Sequence, residues 1–214
     1  MRRTRGSGDL CDMVILLSDP RVLAVPLRDA GVPLVRLGRE FGPARARVRA
    51  DLGERLGWAR AALPPGVGLR VVEGHRDIAR QKQIIELYGA QVRAARPTID
   101  EAGLHHLVSR FVAPVEVAPH VAGAAVDLTL SGPDGDLDMG TPIDATPEES
   151  GGACYFAADG ISAQARANRM LLARVLGGAG LVNYPTEWWH WSYGDRYWAL
   201  MTGAPASLHG PVAA

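Results

Sequence analysis

Histidine and acidic residues occur at two places in the sequence with spacings that suit a metal ion. His120 is followed by Asp127, and Glu187 is followed three positions later by His190. Hydrolysis of an unactivated amide near neutral pH needs an activated nucleophile and stabilisation of the oxyanion that forms. A zinc ion supplies both when three protein ligands leave one coordination position for water. His120, Asp127 and His190 have suitable donor atoms, and Glu187 provides a carboxylate close to the last of them.

Neighbouring residues favour this interpretation over an incidental polar pair in a core strand. Gly123 and the two alanines after it allow backbones to approach closely, as a crowded site requires. Asp127 interrupts an apolar run, and a buried carboxylate needs a cation or several donors to offset its desolvation. Three tryptophans flank Glu187 and His190. Residues three apart on a regular strand point to opposite faces, so this segment must twist, bulge or end there for both to share a site.

The first half of the chain contains two predicted helices and the strand between them. Residues 43–63 have apolar side chains at helical spacing, with Pro43 suited to the first turn. Residues 67–71 alternate between apolar and other residues, as in a strand. Asp77 is a suitable cap for a second helix that ends before Pro97. Arg76 therefore lies at a strand-to-helix corner.

The second half contains two predicted strands and a third helix. Residues 124–130 alternate as a strand, and residues 131–160 are rich in glycine, aspartate and proline, which indicates loops. Ser162 can cap a helix that stops at residues 177–178, and residues 187–193 are aromatic enough for a strand. Helices and strands do not alternate regularly, which favours an α+β domain with a single core over a doubly wound sheet.

Composition excludes several classes of protein. The 214 residues fit one domain, and the 23 basic and 23 acidic residues leave no net field to attract nucleic acid or an anionic membrane. No apolar run is long enough for a membrane helix, and the apolar segment near the start is too short for an export signal. We expect a cytoplasmic protein. Cys11 and Cys154 lie in no CxxC pattern, which predicts free thiols.

The expected domain organisation is simple. Residues 1–12 are predicted to be a disordered leader, residues 13–203 the catalytic domain, and residues 204–214 a C-terminal tail. His209 lies in this glycine-, proline- and alanine-rich tail, which predicts exposure to solvent. His105 and His106 are adjacent on a predicted helix, so they do not converge on one ion.

Three ordered motifs resemble one known family. PHVAGAAVDLTL (119–130), DMGTPID (138–144) and TEWWHW (186–191) look like motifs of the D-alanyl-D-alanine dipeptidases, zinc enzymes of the M15 peptidases associated with vancomycin resistance. VVEGHRDIARQ (71–81) resembles the arginine-bearing segment of the same family, and residues 168–172 fit the helix before its last motif. The resemblance extends from about Leu23 to Trp198. Three motifs in the same order with compatible gaps are more specific than any one alone.

The resemblance implies roles for the residues in these motifs. His120, Asp127 and His190 would hold one zinc ion. Glu187 would be the general base that takes a proton from the attacking water and passes it to the leaving amine. Arg76 would stabilise the oxyanion. The fold implied is that of the VanX- and hedgehog-type zinc peptidases, with a central antiparallel sheet and flanking helices.

The resemblance also implies how the substrate is held. Asp144 would meet the free ammonium of the substrate, which restricts the enzyme to dipeptides, although Asp136 and Asp138 compete for this role. Two departures from the family concern substrate binding. Ala118 stands where the family usually has a serine, and His75 precedes Arg76 where a tyrosine is usual. The predicted partner is therefore a small dipeptide, either D-Ala-D-Ala or a close relative.

Three alternatives remain at this point. The enzyme could be a dipeptidase of secondary metabolism or peptide recycling with another substrate, for which Ala118 and His75 are the hints. It could be a peptidoglycan DD-carboxypeptidase, against which the missing export signal counts. A binding module stabilised by zinc but without turnover is the third alternative. Glu187 argues against that module, because a scaffold without activity has little reason to keep a general base beside its metal.

Overall fold

The computed structural model describes residues 14–212, so the predicted leader and Cys11 lie outside the described residues. The fold is α+β, as predicted. Seven α-helices are found in this range: α1 Pro20–Ala24, α2 Ala50–Ala61, α3 Ile78–Ala95, α4 Glu101–Ser109, α5 Pro147–Ser150, α6 Ala163–Gly178 and α7 Arg196–Thr202. The strands of the same range are β1 Leu34–Arg36, β2 Arg47–Arg49, β3 Gly68–Glu73, β4 Ala125–Gly132, β5 Gly135–Asp136, β6 Val182–Asn183 and β7 His190–Ser192.

The central sheet is antiparallel and has the order β3-β4-β7-β6, with β5 paired to β4. Strands β1 and β2 form a separate antiparallel pair. In the central sheet Glu73 lies opposite Asp127, and Asp127 lies opposite His190. The register therefore places Glu73, Asp127 and His190 side by side on three neighbouring strands.

The two faces of strand β4 differ: one carries Asp127 and the other packs on the main core. Side chains of successive strand residues point to opposite faces, so Asp127 and Thr129 share one face and Val126, Leu128 and Leu130 share the other. That apolar face packs with residues of β3, α2 and α6 in one buried cluster, including Leu69, Val71, Leu52, Leu56, Val126, Leu128, Leu130, Leu172 and Leu176. A packed core thus supports the strand that carries Asp127.

The predicted helix at 43–63 is wrong at its beginning, since the helix begins at Ala50. Residues Arg47–Arg49 instead form β2 and pair with β1. Arg49 is buried, and its guanidinium donates hydrogen bonds to the carbonyl oxygens of Ala122, Val32 and Gly210. These distant acceptors hold the segment extended, which overrides its local helical spacing.

Both helix caps that were predicted are confirmed. The Asp77 carboxylate accepts a hydrogen bond from Arg80 N at 2.7 Å, and the Ser162 hydroxyl accepts one from Ala165 N at 2.9 Å. Each cap satisfies a backbone N–H that has no partner inside its helix. Helix α6 extends through Gly178, which is slightly beyond its predicted end.

Two segments of the second half differ from the prediction. Residues 131–160, predicted as loops, include β5 and α5. The aromatic strand is only His190–Ser192, because the residues before it form a turn in which Glu187 N donates to Tyr184 O. Cys154 is a buried free thiol, as predicted.

The prediction of an exposed His209 is wrong. This side chain is buried, and its Nε2 lies 3.0 Å from Asp51 Oδ2. The backbone of Leu208 and His209 bonds to Gly194 O, and a Cβ on Gly194 would lie 2.5 Å from the His209 ring. The backbone of residues 208–209 thus packs closely against Gly194, and this contact buries His209. No α-helix among residues 14–212 has both the length and the apolar character to cross a membrane.

Candidate metal centre and substrate cavity

The three predicted ligands converge at the end of the sheet. His120 Nε2 lies 3.1 Å from His190 Nδ1 and 3.2 Å from Asp127 Oδ2, and His190 Nδ1 lies 3.1 Å from Asp127 Oδ1. All three residues are buried, and one donor atom from each lies within 4.8 Å of the others. Nitrogen and oxygen donors in this set match the ligand preferences of zinc.

The orientation of His120 fits a metal ligand. Its Nδ1 lies 2.8 Å from the carbonyl oxygen of Gly74, which can only accept a hydrogen bond, so Nδ1 carries the proton. The lone pair on Nε2 is then directed toward Asp127 and His190. A backbone carbonyl that fixes the tautomer in this way is the usual support for a ligating histidine. The residues present therefore fit a divalent metal ion.

Backbone contacts at two glycines position His120. A Cβ on Gly74 would lie 2.5 Å from Arg47 O, so only glycine allows this strand end to approach β2. Gly123 has a φ of +65° and its N–H donates to His120 O at 3.0 Å, which closes the turn that carries the histidine. The same carbonyl oxygen accepts a hydrogen bond from Arg76 N, so the two functional residues are tied together through their backbones.

Glu187 reaches the candidate metal ligands because it lies in a turn. His190 N donates to Glu187 O at 3.2 Å, and Glu187 Oε2 lies 3.8 Å from His190 Nδ1. The expectation that the segment must end or bend for both to share a site is confirmed. Burial, followed by the negative charges of Asp127 and Asp144, raises the pKa of Glu187 well above its usual value. Trp188 and Trp189 are almost completely buried beside it.

Electrostatic effects on the two histidines have opposite net directions. Burial lowers the pKa of both imidazoles. For His120 the charge and hydrogen bond of Asp127 outweigh burial, and the pKa is raised. For His190 burial prevails, and the pKa is lowered. The Asp127 carboxylate has a lowered pKa because these histidines outweigh the effect of its own burial, and an ionised carboxylate is the form that binds a cation.

Arg76 is held by two residues that the sequence did not single out. Its Nε donates to Glu73 Oε1 at 2.8 Å, and its Nη2 donates to Glu73 Oε2. Its Nη1 donates to Gln81 Oε1 at 2.9 Å, and the Gln81 amide in turn donates to Ala113 O. A glutamine on the core-facing side of a predicted helix is the one signal that could have identified this contact.

A cavity of about 290 Å³ opens beside these residues. Its charged walls include Glu73, Arg76, Asp144 and Glu187, in addition to the ligands. Of its apolar walls only Ala118 was predicted. The others come from separate parts of the chain and were not predicted: Leu17, Ile84, Phe111, Val112, Ala113 and Pro119. The cavity is therefore lined by both apolar and charged side chains.

Asp144 is the one of the three competing aspartates that lines this cavity. Burial, followed by the charges of Asp127 and Glu73, raises the pKa of Asp144 to about 6. Asp136 instead pairs with Arg70. Asp138 accepts hydrogen bonds from Gly140 N and the Ser162 hydroxyl.

The two departures from the family differ in their placement. Ala118 lines the cavity, so a serine hydroxyl at this position would face it. His75 is not among the lining residues, and the structure does not bring it to the cavity. Its backbone N donates to Arg47 O at 2.6 Å, and burial, followed by the charge of Arg47, lowers the pKa of its imidazole.

The buried His/Asp/His donor set, the carboxylate of raised pKa and the arginine held by Glu73 and Gln81 form a constellation that can serve hydrolytic chemistry. The family model described as D-ala-D-ala dipeptidase, of the M15 peptidases, matches residues 56–202. The chain belongs to this family and is a peptidase.

Three relatives carry the name D-alanyl-D-alanine dipeptidase. The protein from Synechocystis sp. is 29% identical over 83% of this chain and 88% of its own length. The Escherichia coli protein is 33% identical over 54% of this chain and 64% of its own length. The Enterococcus faecium protein is 38% identical over 36% of this chain and 37% of its own length.

Two solved structures are also similar, one of the vancomycin resistance D,D-pentapeptidase VanY and one of VanYB. The one in complex with Zn(II), a point mutant, is 19% identical with a TM-score of 0.47, and the match covers 87% of this chain and 95% of the other. The one in complex with D-alanine-D-alanine is 20% identical with a TM-score of 0.48, and the match covers 85% and 93% of the two chains.

Proposed function

We propose that this peptidase hydrolyses D-Ala-D-Ala or a closely related small dipeptide, with one zinc ion held by His120, Asp127 and His190. The observation that carries the proposal is the convergence of these donors within 4.8 Å beside Glu187. When bound, zinc would act as a Lewis acid on the scissile carbonyl and make water more acidic. The relatives named above support the substrate class.

Glu187 is the general base in this proposal. A raised pKa makes a carboxylate a stronger base, and burial, followed by the charges of Asp127 and Asp144, raises the pKa of Glu187 well above its usual value. It takes a proton from the attacking water and later gives it to the leaving amine. The buried tryptophans beside it restrict both its motion and its access to bulk solvent.

Arg76 stabilises the negative charge that develops on the carbonyl oxygen. Glu73 and Gln81 hold its guanidinium in place before substrate arrives, so little reorganisation is needed during the reaction. The side chain is largely buried, with 14% of its surface exposed, and a charge in a water-poor site acts more strongly than one in bulk water.

Asp144 binds the free ammonium of the dipeptide. Its ionised carboxylate lines the same cavity as Glu187, and the like charges that raise its pKa would be offset by a cationic group. A cavity of about 290 Å³ is at the small end of the range for ligand pockets, which favours a dipeptide over a longer peptide.

Hydrolysis of D-Ala-D-Ala, L-Ala-L-Ala and the mixed dipeptides by purified protein tests this proposal. We expect cleavage selective for the D,D dipeptide, its loss on treatment with a chelator, and its return with zinc. Selective cleavage that a chelator does not affect would contradict the metal. Metal-bound protein that cleaves none of these dipeptides would contradict the substrate.

Ala118 favours a second candidate, a dipeptidase with a different dipeptide substrate. The residue lines the cavity without the hydroxyl that relatives usually place there. If this candidate is right, D-Ala-D-Ala will be a poor substrate of the natural protein and Ala118→Ser will improve it. Efficient cleavage by the natural protein, unimproved by Ala118→Ser, would exclude the candidate.

A further inference from the structure

Arg169 is a buried arginine whose guanidinium is bound by backbone carbonyl oxygens. The residue lies on α6, and 1% of its surface is exposed. Its Nε donates to Met139 O at 2.8 Å, its Nη1 to Tyr155 O at 2.6 Å, and its Nη2 to Ala153 O at 2.8 Å. Within residues 14–212 it forms no salt bridge. Burial lowers its pKa to about 10.

These acceptors lie at both ends of one segment. Met139 begins it and residues 153–156 end it, and between them the chain runs through turns and the short helix α5. We call residues 139–156 the Asp144 segment, because it contains Asp144. The guanidinium therefore binds the two ends of the segment together and closes it as a loop.

Other contacts hold the Asp144 segment to the turn that carries Glu187. Trp188 Nε1 donates to the Thr141 hydroxyl at 2.8 Å, and Trp188 N donates to Cys154 O at 3.0 Å. The Arg169 guanidinium lies over the Trp188 ring, 5.6 Å from its centroid. Arg169 thus contacts both the segment with Asp144 and the residue next to Glu187, although it does not line the cavity.

A buried cation without a carboxylate partner is costly to keep, and an apolar side chain of similar size usually packs as well or better. The planar fork of arginine offers five donors in fixed directions, which lysine cannot reproduce. Three separate carbonyl directions are used here, so the geometry of the fork determines where the two ends of the segment lie. The backbone of Asp144 has a φ of +64°, a conformation that surrounding contacts must hold.

We propose that Arg169 is a positioning residue for substrate recognition, which acts through the Asp144 segment to place the Asp144 carboxylate. The inference rests on the proposed function, in which Asp144 binds the substrate ammonium. It extends that function to a residue that touches neither substrate nor metal ligand.

The test uses Arg169→Lys and Arg169→Met in the full-length, zinc-loaded protein. The measured quantities are kcat and KM for D-Ala-D-Ala and for N-acetyl-D-Ala-D-Ala, which lacks the ammonium. We expect a rise in KM of about tenfold for the free dipeptide, with kcat within about threefold of the natural protein and zinc content unchanged. The preference for the free over the acetylated dipeptide should fall by a similar factor.

Arg166→Lys is the matched control. Arg166 lies one turn earlier on the same helix, and its guanidinium donates to the carbonyl oxygens of Ala158 and Asp159, beyond the Asp144 segment. This variant should keep the preference of the natural protein. Equal effects of Arg166→Lys and Arg169→Lys would contradict a specific role for Arg169.

The double variant Arg169→Lys/Asp144→Asn separates positioning from general support of the fold. If Arg169 acts through Asp144, its replacement should have no further effect on the preference once Asp144 is neutral. Additive effects would overturn the inference, as would two Arg169 variants that fail to fold, since Arg169 would then support the whole core. If Asp144→Asn alone leaves the preference unchanged, the proposed role of Asp144 fails instead.

Discussion

Glu187 and His190 share one site because a turn, not a strand, joins them. Their separation of three positions would place them on opposite faces of a regular strand. The hydrogen bond from His190 N to Glu187 O brings both side chains to the same side. In this arrangement His190 can bind a metal ion while the Glu187 carboxylate remains free to transfer a proton.

Replacement of Glu187 by Gln should keep zinc bound and lower kcat by about 100- to 10,000-fold, because the amide cannot accept the proton from water. Zinc content measured alongside steady-state rates checks this expectation. An unchanged rate would remove Glu187 from the mechanism. Zinc-loaded natural protein without turnover on any dipeptide would favour the binding module.

The raised pKa of Asp144 predicts the acid side of the pH profile. An ionised carboxylate is needed to bind ammonium, and the pKa of Asp144 is about 6, raised by burial and then by Asp127 and Glu73. The value of kcat/KM for the free dipeptide should therefore fall as the pH decreases below about 6. Asp144→Asn should remove this fall while lowering kcat/KM at neutral pH. Persistence of the same transition in Asp144→Asn would assign it to another group, such as Glu187.

At the scale of elements, the end of β3 depends on a glycine that lets two backbones approach closely beside the His120 ring. Gly74 O orients His120, and a Cβ at this position would lie 2.5 Å from Arg47 O. Backbone atoms cannot move aside as the end of a flexible side chain can. The close approach of β3 to β2 therefore places the carbonyl oxygen that fixes the tautomer of His120.

Gly74→Ala should lower the free energy of unfolding by about 1–3 kcal/mol and weaken zinc binding, because the strand end must move away from β2 and from His120. Gly57→Ala is the control, since Gly57 lies inside α2 with open space around its Cα. That change should raise stability by about 0.5–1 kcal/mol and leave zinc binding unchanged. Urea unfolding and competition with a metal indicator measure both quantities. Equal zinc affinity in the two variants would contradict the role of Gly74.

Elements with local signals were predicted well from the sequence. The caps at Asp77 and Ser162 act on their own helices, and the apolar alternation of β4 reflects its own two faces. The start of α2 was missed because Arg49 of β2 bonds to carbonyl oxygens far along the chain, at Ala122 and Gly210. Ordered motifs predicted the three donors that converge in the structure, His120, Asp127 and His190. The contacts of Arg169 join residues far apart in the sequence, so no short pattern records them.

At the scale of the whole molecule, residues 207–212 form contacts with parts of the chain that are distant in sequence. Ser207 pairs with Leu27, and Val212 N donates to Val121 O beside the turn that carries His120. His209 fills the space that Gly194 leaves open and bonds to Asp51 on α2. The C-terminal segment therefore contributes to the stability of the fold around the site.

The contact between His209 and Asp51 should make part of this stability depend on pH. Burial raises the pKa of Asp51, but the hydrogen bond and charge of His209 outweigh it, and the pKa is lowered overall. A lowered pKa in the folded state contributes stability above the pKa of the unfolded state, about 3.9, and this contribution is lost as the pH falls through the folded value.

Asp51→Asn should therefore lower the free energy of unfolding by about 1 kcal/mol at pH 7, and the difference from the natural protein should shrink below about pH 4. Asp159→Asn, which changes an exposed aspartate of the surface, is the control and should show little difference at either pH. Urea unfolding at the two pH values measures both. A difference for Asp51→Asn that stays constant down to low pH would show that its loss acts through packing and not through the charge that His209 stabilises.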